Sequence, residues 1–340
     1  MKLTIKEIAE IAGVSQSTVS KIINNYDGVA LRTREKVKVI IEENRYRPSY
    51  SAKTLAGNLT NFIGVIYAGK VNAGFNHPFF VDVINTFKKT IGPMGYDLIF
   101  FSNELFHQEK EDYLARCNHY QVDGCIVISG EEVEPSIFEI DKSEIPCVGI
   151  DLQLFGDSST YVMTDNEQIS IAAVEHLYHN GYQKIAFIGG HHTSLISRLR
   201  LESFMETMNK YGLDVREEWV LEGDFFEGSG YQRMMDLLEG KQIPEAVFAS
   251  SDLMALGVMK AISDKGLNVD DFAVIGVDDI LAAQYVKPSL SSIRQDQMLI
   301  GKIAAEMLND LIVHNHRRNP VLIEPTLVAR HSTKRKITSV

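Results

Sequence analysis

From Thr4 the chain reads TIKEIAEIAG, and its apolar positions Ile5, Ile8, Ala9 and Ala12 recur at the three- and four-residue spacing that lines one face of a helix. Thr4 can cap that helix, with Glu7 completing a capping box, and Gly13 stops it. After the turn at Gly13 and Val14, Ser15 caps a second phrase, SQSTVSKIIN. In it Val19, Ile22 and Ile23 fall inward, while Gln16, Ser17, Ser20, Lys21 and Asn24 fall outward. A third amphipathic stretch, from about Thr33 to Asn44, adds Val37, Ile40 and Ile41 on its packing side. Two short helices joined by so tight a turn predict a helix-turn-helix, and the third closes a small core.

The pattern changes at Asn61. Short apolar, β-rich runs (IGVIY, YDLIFF, GCIVIS, PCVGID, YVMTD, KIAFIGG, AVFASSD and FAVIGVDD) alternate with helical stretches. That rhythm predicts an α/β fold with parallel sheets covered by helices on both faces, and eight or more strands over some 280 residues imply two such sheets. In open sheets of this kind the ligand crevice lies beyond the carboxyl ends of the strands. The residues there are Asn103, Ser129, Asp151, Asp165, His191, Ser251, Asp252 and Asp278, with Arg200 on the helix after KIAFIGG. Carboxylates and amides hold hydroxyl groups, an arginine clamps them bidentately, and Phe79 of HPFF can stack on a ring, so a small polyhydroxylated ligand is expected.

Charge divides the same way. Residues 1 to 60 hold ten Lys and Arg against six Asp and Glu, so the rest must carry a net of about −15 to reach the chain's −11. A basic head on an acidic body points to a polyanion as partner of the head. The outward side chains of the second helix are of the types that read base edges, while Ser15, Thr18 and the helix N-terminus can bind phosphate. Between head and body, Pro48 ends the third helix, and SYSAKTL can form only about two turns before Gly57 and Asn58, too short to be stable alone. Lys53 supplies a phosphate-binding charge there. Leu55, beside the small Ala52 and Ala56, has the form of a wedge that enters a minor-groove base step.

Three phrases of the head, AGVSQSTVSKIIN, TREKV and NRYRPS, resemble closely the DNA-binding head of the LacI/GalR family of bacterial transcription regulators. The resemblance implies that Gln16, Ser17 and Lys21 occupy base-reading positions and that Thr18 and Ser20 lie at or near phosphate; Thr4, Ser15, Asn24 and Lys53 complete the expected backbone contacts. It implies that Ala52 and Leu55, with Ala56, belong to a hinge helix that forms only on operator DNA, the leucines of two subunits inserting side by side. In the body, NHPFF, VDGCIVIS, LISRLRLESF, IGVDD and SIRQD are similar to the family's core, which resembles type I periplasmic sugar-binding proteins. Arg200 then inherits the role of effector-binding arginine, Asp278 that of a ligand carboxylate, and Gln295 lies on a crossover between subdomains. FASSDLMALG departs from the pattern, with Ser251 where many members carry asparagine, which puts one effector hydrogen bond in doubt while leaving Asp252 available.

By the same analogy, residues 1–47 form the DNA-binding domain, 48–60 the hinge and 61–340 the core. Within the core, one subdomain is expected at about 61–159 and 291–320, the other at about 160–290 and 321–340. The expected function is an effector-controlled repressor of a sugar-utilisation operon, binding double-stranded operator DNA as a homodimer; a purine-type corepressor, or a regulator acting with a partner protein, is the alternative. No apolar run is long enough to span a bilayer and the start is not a secretory signal, so a cytoplasmic location without membrane contact is expected. Cys117, Cys125 and Cys147 lack paired or metal-ligand spacing and read as buried thiols. No nucleophile elbow, P-loop, dinucleotide fingerprint or zincin motif is present, and Gly228-Ser229-Gly230 has the wrong spacing, so no enzyme activity and no cofactor are expected. The histidine pairs, His191-His192 and His314 with His316, read as surface or hydrogen-bonding residues, with no metal expected.

Overall fold

The computed structural model describes residues 3–23, 26–44, 46, 59–68, 76–101, 112–128 and 133–335. The chain divides into two compact units, Met1–Asn61 and Phe62–Val340.

In the first unit, helices α1 (Ile5–Ala12), α2 (Gln16–Ile23) and α3 (Leu31–Glu43) follow the apolar periodicity closely. The capping box forms: the Thr4 hydroxyl accepts from the Glu7 amide at 3.3 Å, and the Thr4 amide donates to the Glu7 carboxylate at 2.7 Å. Gly13 ends α1 at φ 65°, a left-handed conformation that glycine adopts without a Cβ penalty. Ile8, Ala9, Ala12, Val19, Ile22, Val37 and Tyr46 make the buried core, with Ile5, Ile23, Ile40 and Ile41 packed against it. Helix α3 begins two residues before the expected Thr33 because Leu31, 78% exposed, joins the helix without contributing to the apolar pattern.

The second unit holds two six-stranded sheets. The first has strand order β11-β5-β4-β3-β1-β2, from β1 (Phe62–Tyr67), β2 (Asp97–Phe100), β3 (Gly124–Ile128), β4 (Cys147–Ile150), β5 (Ser159–Thr164) and β11 (Val321–Ile323). The second has order β12-β10-β9-β8-β6-β7, from β6 (Ile185–Gly189), β7 (Val220–Glu222), β8 (Ala246–Ala249), β9 (Ala273–Val277), β10 (Ser291–Arg294) and β12 (Thr326–Val328). Every pairing is parallel except β10 with β12.

Both sheets are covered on both faces, which is why their central strands are apolar without a polar alternate. In the first, Ile126 and Ile128 face helices α4 (Pro78–Ile91) and α11 (Gln297–His314), while Cys125 and Val127 join Tyr113 of α5 (Tyr113–Tyr120) and Ile137 of α6 (Pro135–Asp141). In the second, Val247 and Ala249 pack with α9 (Glu227–Glu239) and α10 (Asp252–Asp264), and Ala246 and Phe248 with α7 (Asn166–His179) and α8 (Leu195–Lys210). The three cysteines are buried free thiols of the first core.

The subdomain boundaries differ from those expected. Strand β5 runs on in the first sheet to Thr164, β10 at Ser291–Arg294 belongs to the second, and β11 at Val321–Ile323 returns to the first. Each crossing falls where a strand has finished pairing: at Asp165, at Gln295-Asp296 and between Ile323 and Thr326. Helix α11 packs directly on α4, and a Cβ added to Gly301 would come within 2.3 Å of the Val83 carbonyl oxygen.

Gly301→Ala tests that contact. Alanine raises helix propensity by about 1 kcal/mol, but a methyl forced against backbone costs about 1–3 kcal/mol or more, so the melting temperature should fall. An unchanged or raised melting temperature would mean that the two helices can separate freely.

Candidate functional site

The outward face of α2 is built as the sequence predicts. Gln16, Ser17 and Lys21 are exposed, Thr18 and Ser20 are half-buried, and Val19 and Ile22 anchor the helix from beneath. The Ser15 hydroxyl accepts from the Thr18 amide at 3.1 Å and shares protons with the Ser17 and Thr18 hydroxyls at 2.7 and 2.8 Å. Thr4 is exposed at the start of α1. Asn24, Ala52, Lys53, Leu55 and Ala56 lie outside the described residues, as do Asn103 and Ser129 of the expected effector set.

The second unit contains a cleft at the carboxyl ends of both sheets. Its wall includes His77, Phe79 and Phe80 at the start of α4, Asp151 after β4, and Ser194, Ile196 and Arg200 on the first turns of α8. Phe225 and Phe226 enter after β7, Ser250 and Ser251 after β8, Asp278 after β9 and Gln295 after β10.

Arg200 is the charged centre, only 3% exposed. Its Nε donates to Asn166 Oδ1 at 2.8 Å and its Nη1 to the Ser250 carbonyl at 2.6 Å, two bonds that fix the guanidinium in the cleft wall. Burial lowers its pKa, against the opposing pull of Asp278 and Asp151. Burial likewise pushes Asp278 up to about 7 and Asp151 up to about 6, although Arg200 pulls both down. Gln295 Nε2 donates to Asp278 Oδ1 at 2.7 Å, and Gln297 Nε2 to the Asp278 carbonyl at 2.6 Å.

Backbone strain collects here. Seven non-glycine residues have positive φ among those described; Asp151 (54°), Phe225 (67°) and Asp278 (106°) line the cleft and Asp279 (57°) adjoins it. Such conformations cost about 1–3 kcal/mol each and persist where surrounding structure holds them, most often at ligand sites. The Asp278 amide donates to the Ile293 carbonyl at 3.0 Å, and the Asp279 amide to Ser292 Oγ at 2.9 Å. Phe225 lies over Gly190, where an added Cβ would meet the ring at 2.2 Å.

Two expected effector residues are elsewhere. Asp252 is buried, but its carboxylate accepts from the Ile280 amide at 2.8 Å and the Ser292 hydroxyl at 2.7 Å, which makes it a structural brace between α10, β10 and the segment after β9. Asp165 caps α7 by accepting from the Gln168 amide at 3.1 Å and is not part of the cleft wall. Ser251 does reach the wall, but its hydroxyl donates to the Phe225 carbonyl at 2.7 Å and accepts from the Met254 amide at 3.1 Å, leaving Ser250 Oγ as the neighbouring group without a partner. The sequence reading missed His77, Phe80, Ser194, Ile196, Ser250, Phe225 and Phe226. The first two stand in the HPFF phrase already singled out, whereas Phe225 and Phe226 follow a strand too short to be recognised. His191 follows β6 as expected but is not in the cleft wall; it lies beside His192 and Glu222, a group able to offer ligand atoms to a metal.

Residues 4–49 match the family model of bacterial regulatory proteins of the lacI family, and residues 174–333 match that of a periplasmic binding protein-like domain. The HTH-type transcriptional repressor PurR of Actinobacillus pleuropneumoniae serotype 3 is 32% identical over 335 residues, 97% of this chain and 98% of that protein. The chain belongs to the LacI family. A PurR repressor of Haemophilus influenzae is also 32% identical, over 97% of this chain and 98% of its own. Among solved structures, a Lac repressor dimer bound to operator and the anti-inducer ONPF aligns with TM-score 0.83 at 27% identity, covering 98% of this chain and 99% of that one. A CelR regulator in complex with cellobiose aligns with TM-score 0.73 at 28% identity, covering 97% and 100%. This LacI-family chain thus has the two-part architecture anticipated from its sequence, and among its described residues no helix is long and apolar enough to cross a membrane.

The cleft acids give a pH test. Between about 4 and 7 the folded chain keeps a proton on Asp278 that the unfolded chain has released, so this group's contribution to stability falls as pH rises through that window. Asp151 acts in the same sense up to about 6; His77, lowered by burial to about 4, acts in the opposite sense between 4 and 6.5. Relative to the parent, the ligand-free Asp278→Asn variant should therefore gain stability as pH is raised from 5 to 7.5, by up to a few kcal/mol. A difference in denaturation midpoint that stays constant with pH would reject the assignment.

Proposed function

We propose that the protein is a transcriptional repressor whose grip on operator DNA is set by a sugar or sugar derivative bound in the cleft between the two sheets. The observation that carries this reading is a set of buried polar atoms around the cleft that have no hydrogen-bond partner: Asp151 Oδ1, Gln295 Oε1, Ser250 Oγ and His77 Nδ1. Buried polar groups left unpaired cost about 1–3 kcal/mol each, so the cleft favours a compact ligand carrying several groups that can both donate and accept. Hydroxyls on a saturated ring supply them, and the four phenylalanines cover the ring's apolar face. Arg200, Asp278 and Gln295 would then orient the ligand. The CelR–cellobiose complex is a related architecture whose ligand is a sugar.

In this reading the protein acts in the cytoplasm as a homodimer on double-stranded DNA with two half-sites, and it binds its effector without turning it over. Gln16, Ser17 and Lys21 would read base edges, with Thr4, Ser15, Thr18, Ser20, Asn24 and Lys53 on the backbone and Leu55, flanked by Ala52 and Ala56, as the minor-groove wedge. Closure of the cleft needs to change operator affinity by only about 5- to 150-fold, a coupling of about 1–3 kcal/mol.

The same four aromatic rings favour a second reading, a flat purine-type base that acts as corepressor. The relatives named PurR, 32% identical over nearly the whole chain, support this reading more than the sugar one.

A thermal-shift screen of the full chain against sugars, sugar phosphates and purine bases, followed by binding to an operator fragment with and without the hit, separates the two. A sugar that stabilises the protein and releases DNA is the expected result; a purine that stabilises it and tightens DNA binding would overturn the sugar reading. Leu55→Ala should weaken operator binding at least tenfold, about 1.4 kcal/mol, with the melting temperature unchanged. Undiminished operator affinity would reject the wedge.

A further inference from the structure

Outside the cleft, the loop after β6 and the end of β7 bring three ligand-type side chains together. His191 Nε2 lies 3.2 Å from Glu222 Oε1, and His192 Nδ1 lies 3.0 Å from Glu222 Oε2. The nearest ligand atoms of all three residues fall within 4.8 Å of one another. Four-coordinate zinc, with bonds of about 2.0–2.2 Å to histidine nitrogen and carboxylate oxygen, separates its ligand atoms by about 3.3–3.5 Å, so a small outward breathing of this trio admits an ion.

Its surroundings favour a metal over a plain histidine–carboxylate contact. The Nδ1 of His191 lies 2.8 Å from Thr193 Oγ1 and accepts from the Thr193 amide at 3.4 Å, contacts that fix the ring and direct Nε2 at Glu222. The two imidazoles lie over one another, centroids 4.4 Å apart and planes 32° off parallel. The neighbouring cations are engaged elsewhere: Arg198 donates to the Thr193 carbonyl at 3.0 Å, and Arg233 donates through Nε to the Glu222 carbonyl at 2.8 Å and through Nη1 to Asp236 at 2.8 Å. Both carboxylate oxygens of Glu222 are thus left to the histidines. His191, His192 and Glu222 are 34, 72 and 44% exposed in their side chains, so an ion can enter from solvent and keep a water as fourth ligand.

We propose that His191, His192 and Glu222 form a binding site for a divalent transition metal ion of the zinc type, tying the end of β6 to the end of β7. Two nitrogens and one carboxylate suit zinc, cobalt or nickel and do not suit magnesium or calcium, which take oxygen ligands. The site closes a short staple between the loop carrying Ser194, the cap of α8, and the strand leading to Phe225.

The test is titration of the tag-free, chelator-treated full chain with Zn²⁺ by calorimetry, with Co²⁺ absorption as a report of coordination geometry. The expected result is one ion per chain in the parent, four-coordinate by Co²⁺ absorption, with affinity weakened at least tenfold in both His191→Ala and Glu222→Gln and in each case without loss of the fold by circular dichroism. Glu222→Gln preserves the side chain's size while removing its charge and one acceptor oxygen, so it tests ligation with little change in packing. Equal Zn²⁺ affinity in parent and variants, or no saturable binding in the parent, would overturn the proposal.

Discussion

A guanidinium buried to 3% exposure governs how the core is put together. Taken from water unpaired, such a charge would cost far more than the whole stability of a domain, so carboxylates must face it. The two that do come from different sheets, Asp151 at the end of β4 and Asp278 at the end of β9. Arg200 therefore couples the lobes through charge at the point where they meet. The coupling is incomplete: burial still raises both acids and lowers the arginine, so none of the three has recovered in the protein what it lost from water. A site held in this state has free energy to gain from a polar guest.

The strained residues belong to the same picture. Asp278 and Asp279 turn through left-handed conformations because β10 fixes them from one side, through the Ile293 carbonyl and the Ser292 hydroxyl. Ser292 bonds at the same time to Asp252, which in turn holds the Ile280 amide. A carboxylate turned away from the cleft thus shapes the loop that presents the one lining it.

That division explains what could be read from the sequence. The head was legible because its caps and apolar faces are local: Thr4 with Glu7, Gly13, and Val19 with Ile22 lie within a few residues of one another. The central strands were legible because burial on both faces makes them continuous apolar runs. Strands β7, β11 and β12 were not, since VLE, VLI and TLV have only three residues each, and neither was β10, whose SSIR is mostly polar; all four are strands because a neighbour pairs with them. The cleft was half legible. A polar residue at a strand end is visible in a sequence, but whether its side chain faces the cleft, like Asp278, or turns under the sheet, like Asp252, depends on partners such as Ser292 that lie 40 residues away. Glu222 escaped notice for the same reason, because its relation to His191 and His192 is created by the parallel pairing of β6 and β7.

The two strands that complete the sheets, β11 and β12, follow all the others in sequence and are separated by only two residues. Neither lobe can finish its hydrogen-bonded edge before both have been synthesised, even though most of each sheet has emerged from the ribosome long before. The lobes are therefore not independent units in time. A nascent chain would hold two open-edged sheets in waiting, with β5 and β10 unpaired on one side and exposed to wrong partners, until a single late segment closes both within a few residues.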